Sequence, residues 1–109
     1  LRANQGRIEL GGANNGFVSL QPSLSGWNLD YTEASTDSDI TLESQSAIDA
    51  SGLTSQGIQL FGNQIKLKDG SIALMQVFGT APTSEMMITA KELIEVTGTN
   101  STSQLPSSI

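Results

Sequence analysis

Ile58-Gln59-Leu60-Phe61-Gly62-Asn63-Gln64-Ile65-Lys66-Leu67 states one phrase twice: two aliphatic residues around a single polar one. The phrase recurs at Ile40-Thr41-Leu42 and Ile94-Glu95-Val96. Alternation with period 2 over so few residues makes a strand with one buried face and is too short for a helical stripe. The apolar strand openers Ile40, Ile48, Ile58, Ile65, Ile72, Met86 and Ile94 sort into three lines. Ile40, Ile65 and Ile94 step by 25 and 29 residues, Ile48 and Ile72 by 24, Ile58 and Met86 by 28. Recurrence at that spacing belongs to stacked-repeat architectures, and three lines predict a three-sided coil. The expected fold is therefore all-β, a parallel β-helix (β-solenoid) segment of about three to four coils.

The alternation also assigns sides. Ile40, Leu42, Ile48, Ile58, Leu60, Ile65, Leu67, Ile72, Leu74, Met86, Ile88, Ile94 and Val96 are expected to point inward. Thr41, Glu43, Gln59, Lys66, Lys68, Met87, Thr89 and Glu95 are expected to point outward, with Met87 the one apolar residue on that wet face. Register then brings Glu43 beside Lys68 and Lys66 beside Glu95. Corners are expected at Asp49-Ala50-Ser51-Gly52, Gly62-Asn63, Asp69-Gly70-Ser71 and Gly79-Thr80-Ala81-Pro82, where Gly, Asn and Asp accept left-handed backbone. The extra residues of the last turn fall in a loop at 77–85 around Pro82. Residues 84–96 also carry helix-favouring Met, Ala, Lys, Glu and Leu, but alternation in both halves and the following Gly98 favour a strand.

The chain of 109 residues is one unit in three parts: an irregular coil with an excursion at 1–38, regular coils at 39–98, and a loop at 99–109 leading towards a further coil. Gly6-Arg7-Ile8-Glu9-Leu10-Gly11 opens the first coil. Phe17-Val18-Ser19-Leu20 and Trp27-Asn28-Leu29-Asp30-Tyr31 are further short strands within the excursion. Hydrophobic content is only 37%, low for a globule but sufficient for a narrow core. A net charge of −6 makes nucleic acid and anionic lipid surfaces unfavourable partners. No stretch is long and apolar enough to span a membrane. With no Cys there is no disulfide framework or thiolate metal site, and with no His the commonest general base and metal ligand is missing. The chain starts without the basic and apolar regions of a signal peptide and is expected to be a segment of a longer protein.

Taken in order, the phrases Gly6-Arg7-Ile8-Glu9-Leu10-Gly11, Val18-Ser19-Leu20, Gly26-Trp27, Asp39-Ile40-Thr41-Leu42, Ile48-Asp49-Ala50-Ser51-Gly52, Ile65-Lys66-Leu67-Lys68-Asp69-Gly70-Ser71 and Val96-Thr97-Gly98-Thr99 form a block. It resembles the passenger region of cyanobacterial filamentous-haemagglutinin-like proteins, which are similar to two-partner-secretion exoproteins. The resemblance covers nearly the whole chain. It implies a right-handed parallel β-helix in a structural and adhesive rod segment of a large secreted protein. That protein would be exported through an outer-membrane transporter and displayed at the cell surface, where a glycan or protein receptor is the expected partner. The chain departs from the pattern at Thr83-Ser84-Glu85, where similar passengers are Gly-rich, and the amino-terminal secretion domain is not recognisable in it. The resemblance supplies no catalytic residue.

Parallel β-helices also carry polysaccharide lyases and hydrolases, so the alternative is part of a carbohydrate-active β-helix whose active site lies outside this segment. A lyase site needs clustered carboxylates and a basic residue to take a proton. Here Glu43, Asp49, Asp69, Glu85, Glu92 and Glu95 are spread singly, and the only arginines, Arg2 and Arg7, precede the regular coils. No catalysis, cofactor or metal is expected. The corner residues Asp49 and Asp69 are read as caps of their own backbone, and Asn100-Ser101-Thr102 as a chance sequon. The remaining candidates for ligand contact are Trp27 and Tyr31. They either stack on a sugar ring or cover the edge of the fold.

Overall fold

Alternating aliphatics and turn residues make strands, and the computed structural model holds strands and no helix among the residues it describes: 1–23, 26–54, 57–79, 85–102 and 104–109. Ten strands follow in order: β1 (Arg7–Gly11), β2 (Asn15–Gly16), β3 (Ser19–Ser23), β4 (Gly26–Asp30), β5 (Ala34–Ser35), β6 (Ile40–Leu42), β7 (Ala47–Asp49), β8 (Gly57–Leu67), β9 (Ile72–Leu74) and β10 (Met86–Val96).

β8 is the centre. Its first half pairs with β1 and its second half with β6, both parallel and with Ile8 opposite Ile58 and Ile40 opposite Ile65. Its whole length pairs in parallel with β10, which sets Met86 opposite Ile58, Ile94 opposite Ile65 and Glu95 opposite Lys66. Ile58, Leu60, Ile65 and Leu67 are fully enclosed, and Ile8, Leu42, Ile48, Ala50 and Ala73 complete the core. Each fully buried aliphatic of this kind is worth about 1.5–3 kcal/mol. On the outer side the Lys68 ammonium stands 3.2 Å from Glu43. The Asp69-Gly70 corner forms, with both residues at positive φ, and Asp49 caps its own backbone by accepting from the Ser51 N–H at 2.9 Å.

The strands do not make the right-handed parallel β-helix of three to four coils expected from the sequence. They divide into separate small sheets, a four-stranded parallel sheet, a parallel β7–β9 pair and the antiparallel pairs β2–β5 and β3–β4. The body measures 42 × 38 × 16 Å, a flat mixed-sheet unit and not a rod.

Three local choices separate it from a solenoid. Gly62-Asn63 makes no corner, because β8 is hydrogen-bonded on both edges and runs straight through it. Only the inside–outside phase slips there, with Asn63 and Gln64 both off the core. The offset between paired residues rises by three between Gly52–Val77 and Ile58–Met86, as expected for the 77–85 segment, and by one more on β10, where the register shifts between Ala90 and Leu93, as at a bulge. The expected Ile48–Ile72 line is also off by one, since Ile48 pairs with Ala73. Ala73 and Ser71 therefore fill the core, while Ile72 is half-buried and Leu74 exposed. Ile94 and Val96, expected inward, are likewise exposed. Finally, the 11–38 excursion pairs with itself, antiparallel. The 84–96 alternative resolves as strand β10. The expected corner at Thr80-Ala81-Pro82, and Thr83-Ser84 beside it, lie outside the described residues. The tail returns along β9, with the Ala73 N–H donating to Ser108 O at 3.0 Å.

Candidate functional site

The excursion is a two-tier hairpin. β2 pairs with β5 at its root, and β3 pairs with β4 further out, with Leu20 opposite Leu29, Gln21 opposite Asn28 and Pro22 opposite Trp27. Gly16 permits the root: its φ is +89° and a Cβ there would strike the Glu33 carbonyl. Opposed residues of an antiparallel pair share a face and alternate along it. Leu20, Pro22, Trp27 and Leu29 therefore stand on one face, and Ser19, Gln21, Asn28 and Asp30 on the other.

The polarity of those faces is the reverse of an ordinary amphipathic strand. The polar face looks onto the protein and the apolar face looks away from it. Phe17, Leu20 and Trp27 are 74%, 62% and 63% exposed. From Leu10 to Leu29 the sequence holds no charged side chain.

Between the polar face and the sheet runs an open groove of about 450 Å³. Gln59 and Phe61 of β8, with Met87 and Thr89 of β10, form its floor, and Gln21, Asn28, Leu29, Asp30, Tyr31 and Thr32 form its wall. Met87, the apolar residue on the expected wet face, is thus part of a lined surface.

Two devices hold the hairpin over the floor. The Tyr31 ring stacks on Phe61 with centroids 4.4 Å apart and planes 9° from parallel. The approach depends on Gly11, because a Cβ there would collide with the Tyr31 ring and hydroxyl. The second device is a polar bracket. Arg7 pairs with Glu9 and donates from Nη2 to Gln59 Oε1 at 3.1 Å, and Gln59 Nε2 donates to Leu29 O at 3.2 Å. Gln59 was expected to be a plain outward residue. It ties β1 and β8 to the backbone of β4.

Electrostatics follow from this packing. Burial pushes the Tyr31 phenol above its ordinary value, the Glu9 carboxylate pushes the same way, and Arg7 opposes them. Asp30 lies below the usual carboxylate value because the Thr32 hydroxyl and N–H both donate to it. At neutral pH the groove wall therefore carries a negative charge. Asn28 Oδ1 is shut off from water and accepts no hydrogen bond from the protein.

The structure separates the two residues predicted as ligand contacts. Trp27 stands on the outward apolar face, whereas Tyr31 is 8% exposed and its ring serves the hairpin root. Gln21, Asn28, Asp30, Gln59, Phe61, Met87 and Thr89 were missed as a group. Period-2 alternation over 19–30 marks the two hairpin faces, but nothing local indicates which face turns to the sheet. Among the described residues no group of three or more Asp and Glu side chains could hold a metal ion. Comparison with family models, curated proteins and solved structures finds no match.

Proposed function

We propose that this chain is a non-catalytic adhesive module of a secreted cell-surface exoprotein of the filamentous-haemagglutinin-like kind, with the hairpin as its contact element. The observation that carries the reading is the outward apolar face of Leu20, Pro22 and Trp27, with the exposed Phe17 and Val18 just before β3, on a segment without charge. A chain of net charge −6 is repelled by an anionic cell surface. The outward face of the hairpin, which carries no charged side chain, is the part that approaches such a surface at least electrostatic cost. Its mixture of aromatic and aliphatic side chains suits the apolar patch of a protein receptor, where Trp is a frequent energetic anchor. The ordered phrases shared with filamentous-haemagglutinin-like passengers support the secreted, surface-displayed setting, and the parent chain would leave through an outer-membrane transporter.

The test uses beads that carry the chain. They should tether to receptor-bearing cells, and beads carrying the Leu20→Ser plus Trp27→Ser variant should release. Both positions are exposed, so the variant should keep its fold. Equal tethering by a folded variant would refute the hairpin as contact element.

A further inference from the structure

We propose that the groove between the hairpin and the outer face of β8 and β10 binds a neutral, hydroxyl-rich saccharide. This site lies on the opposite face of the hairpin from the proposed receptor contact, and the inference does not depend on that contact. Four observations converge on the ligand class. The volume of about 450 Å³ lies within the range of small-ligand clefts, roughly 300–1,000 Å³. The lining mixes amides and hydroxyls (Gln21, Asn28, Thr89) with the apolar surface of Phe61 and Met87. A pyranose ring presents the same pairing, with hydroxyls around its rim and C–H groups on its faces.

Asp30, ionised and held by Thr32, sets the charge. With no cation among the described lining residues, and Glu9 and Arg7 behind them neutralising each other, a sulfated or carboxylated glycan would meet the Asp30 charge and no cation lining the groove. Asn28 supplies the remaining argument. A buried carbonyl oxygen without a donor costs about 1–3 kcal/mol, and native proteins keep few such atoms. Asn28 lines the groove, so a ligand hydroxyl that reached its Oδ1, on adjustment of the soft terminal amide torsion, would supply the missing donor. In the free protein Asn28 is thus a cost, and in the complex a contact.

That asymmetry makes the proposal testable without confusing binding with folding. The ¹⁵N-labelled chain is titrated separately with cellotetraose, chitotetraose and a heparin tetrasaccharide while amide shifts are followed. Saturable shifts from at least one neutral probe are expected at Gln21, Asn28, Gln59, Met87 and Thr89, and none from heparin. Asn28→Leu should weaken that binding roughly tenfold or more, the loss of one hydrogen bond and its acceptor, without lowering the melting temperature. Thr89→Val probes the other strand of the site and should also weaken binding. Thr41→Ala, outside the groove, should change nothing.

Silence from both neutral probes up to tens of millimolar would overturn the proposal. So would heparin binding at the groove, or saccharide binding that survives Asn28→Leu. A marked fall in melting temperature for Asn28→Leu would overturn it too, by making that amide structural. None of these outcomes touches the tethering experiment, which reads the outward face.

Discussion

Ile65 and Gln59 lie in the same strand and were assigned opposite sides, yet neither is a neutral position for substitution. Ile65 is fully enclosed between Ile40 and Ile94. Ile65→Asp puts a charge there with no partner, at a cost of roughly 3–5 kcal/mol. Gln59 faces the groove, but Gln59→Ala takes an acceptor from Arg7 and a donor from the Leu29 carbonyl. A loss of about 1–3 kcal/mol is expected. Urea unfolding of both variants measures the two costs, and a silent Gln59→Ala would remove the bracket from the account.

Tyr31 gives a second test at this scale, because it is the only tyrosine and its absorbance titrates alone. Its folded pKa is raised above the ordinary 10.0. The stabilisation it gives is therefore fully present below that value and is lost as pH rises through the higher folded pKa. Phe61→Ala opens the stack to water and should bring the titration back towards 10.0. A wild-type titration at the ordinary value would show that the ring is not covered.

Among the elements, the hairpin depends on its root more than on its own strands. An isolated two-stranded hairpin is marginal in water, so β3–β4 needs the Tyr31–Phe61 stack and the Gln59 bracket to hold its place. Gly11→Ala sets a methyl group against the Tyr31 ring. It should detach the hairpin while leaving the β8 core folded. Limited proteolysis should then cut within residues 12–38 much faster than in the wild type, and cleavage at the wild-type rate would count against this packing.

The elements also show what was legible in the sequence. Single strands could be read because alternation is a local property. The β6–β8–β10 register could be read because the lines Ile40–Ile65–Ile94 and Ile58–Met86 align it. Gly62-Asn63 misled because its turn preference is local, whereas the hydrogen bonds that hold β8 straight come from strands distant in sequence. Ile72 misled because Ile72 and Ala73 are both apolar, and the smaller one fits the space beneath Ile48. The groove stayed hidden because its two walls come from segments about thirty residues apart, joined by an aromatic pair that neither segment announces.

For the whole molecule, the consequence of mixed pairing is that function moves from length to surface. A solenoid would act as a spacer. This flat body instead offers a platform, β8 with β10, and an element laid over it that presents different chemistry on each face. The one carboxylate of the β3–β4 hairpin, Asp30, stands on the face turned to the sheet, so the outward face carries no charge and can contact an anionic surface that the rest of the molecule repels. Everything proposed for binding rests on the hairpin lying antiparallel and over the outer face of β8. Proton–proton contacts in solution measure that placement directly. The account predicts contacts between the Tyr31 and Phe61 rings, together with alternating Hα–Hα contacts between β3 and β4. Ring protons of Tyr31 without any contact to Phe61, or β3 and β4 without antiparallel contacts, would contradict it.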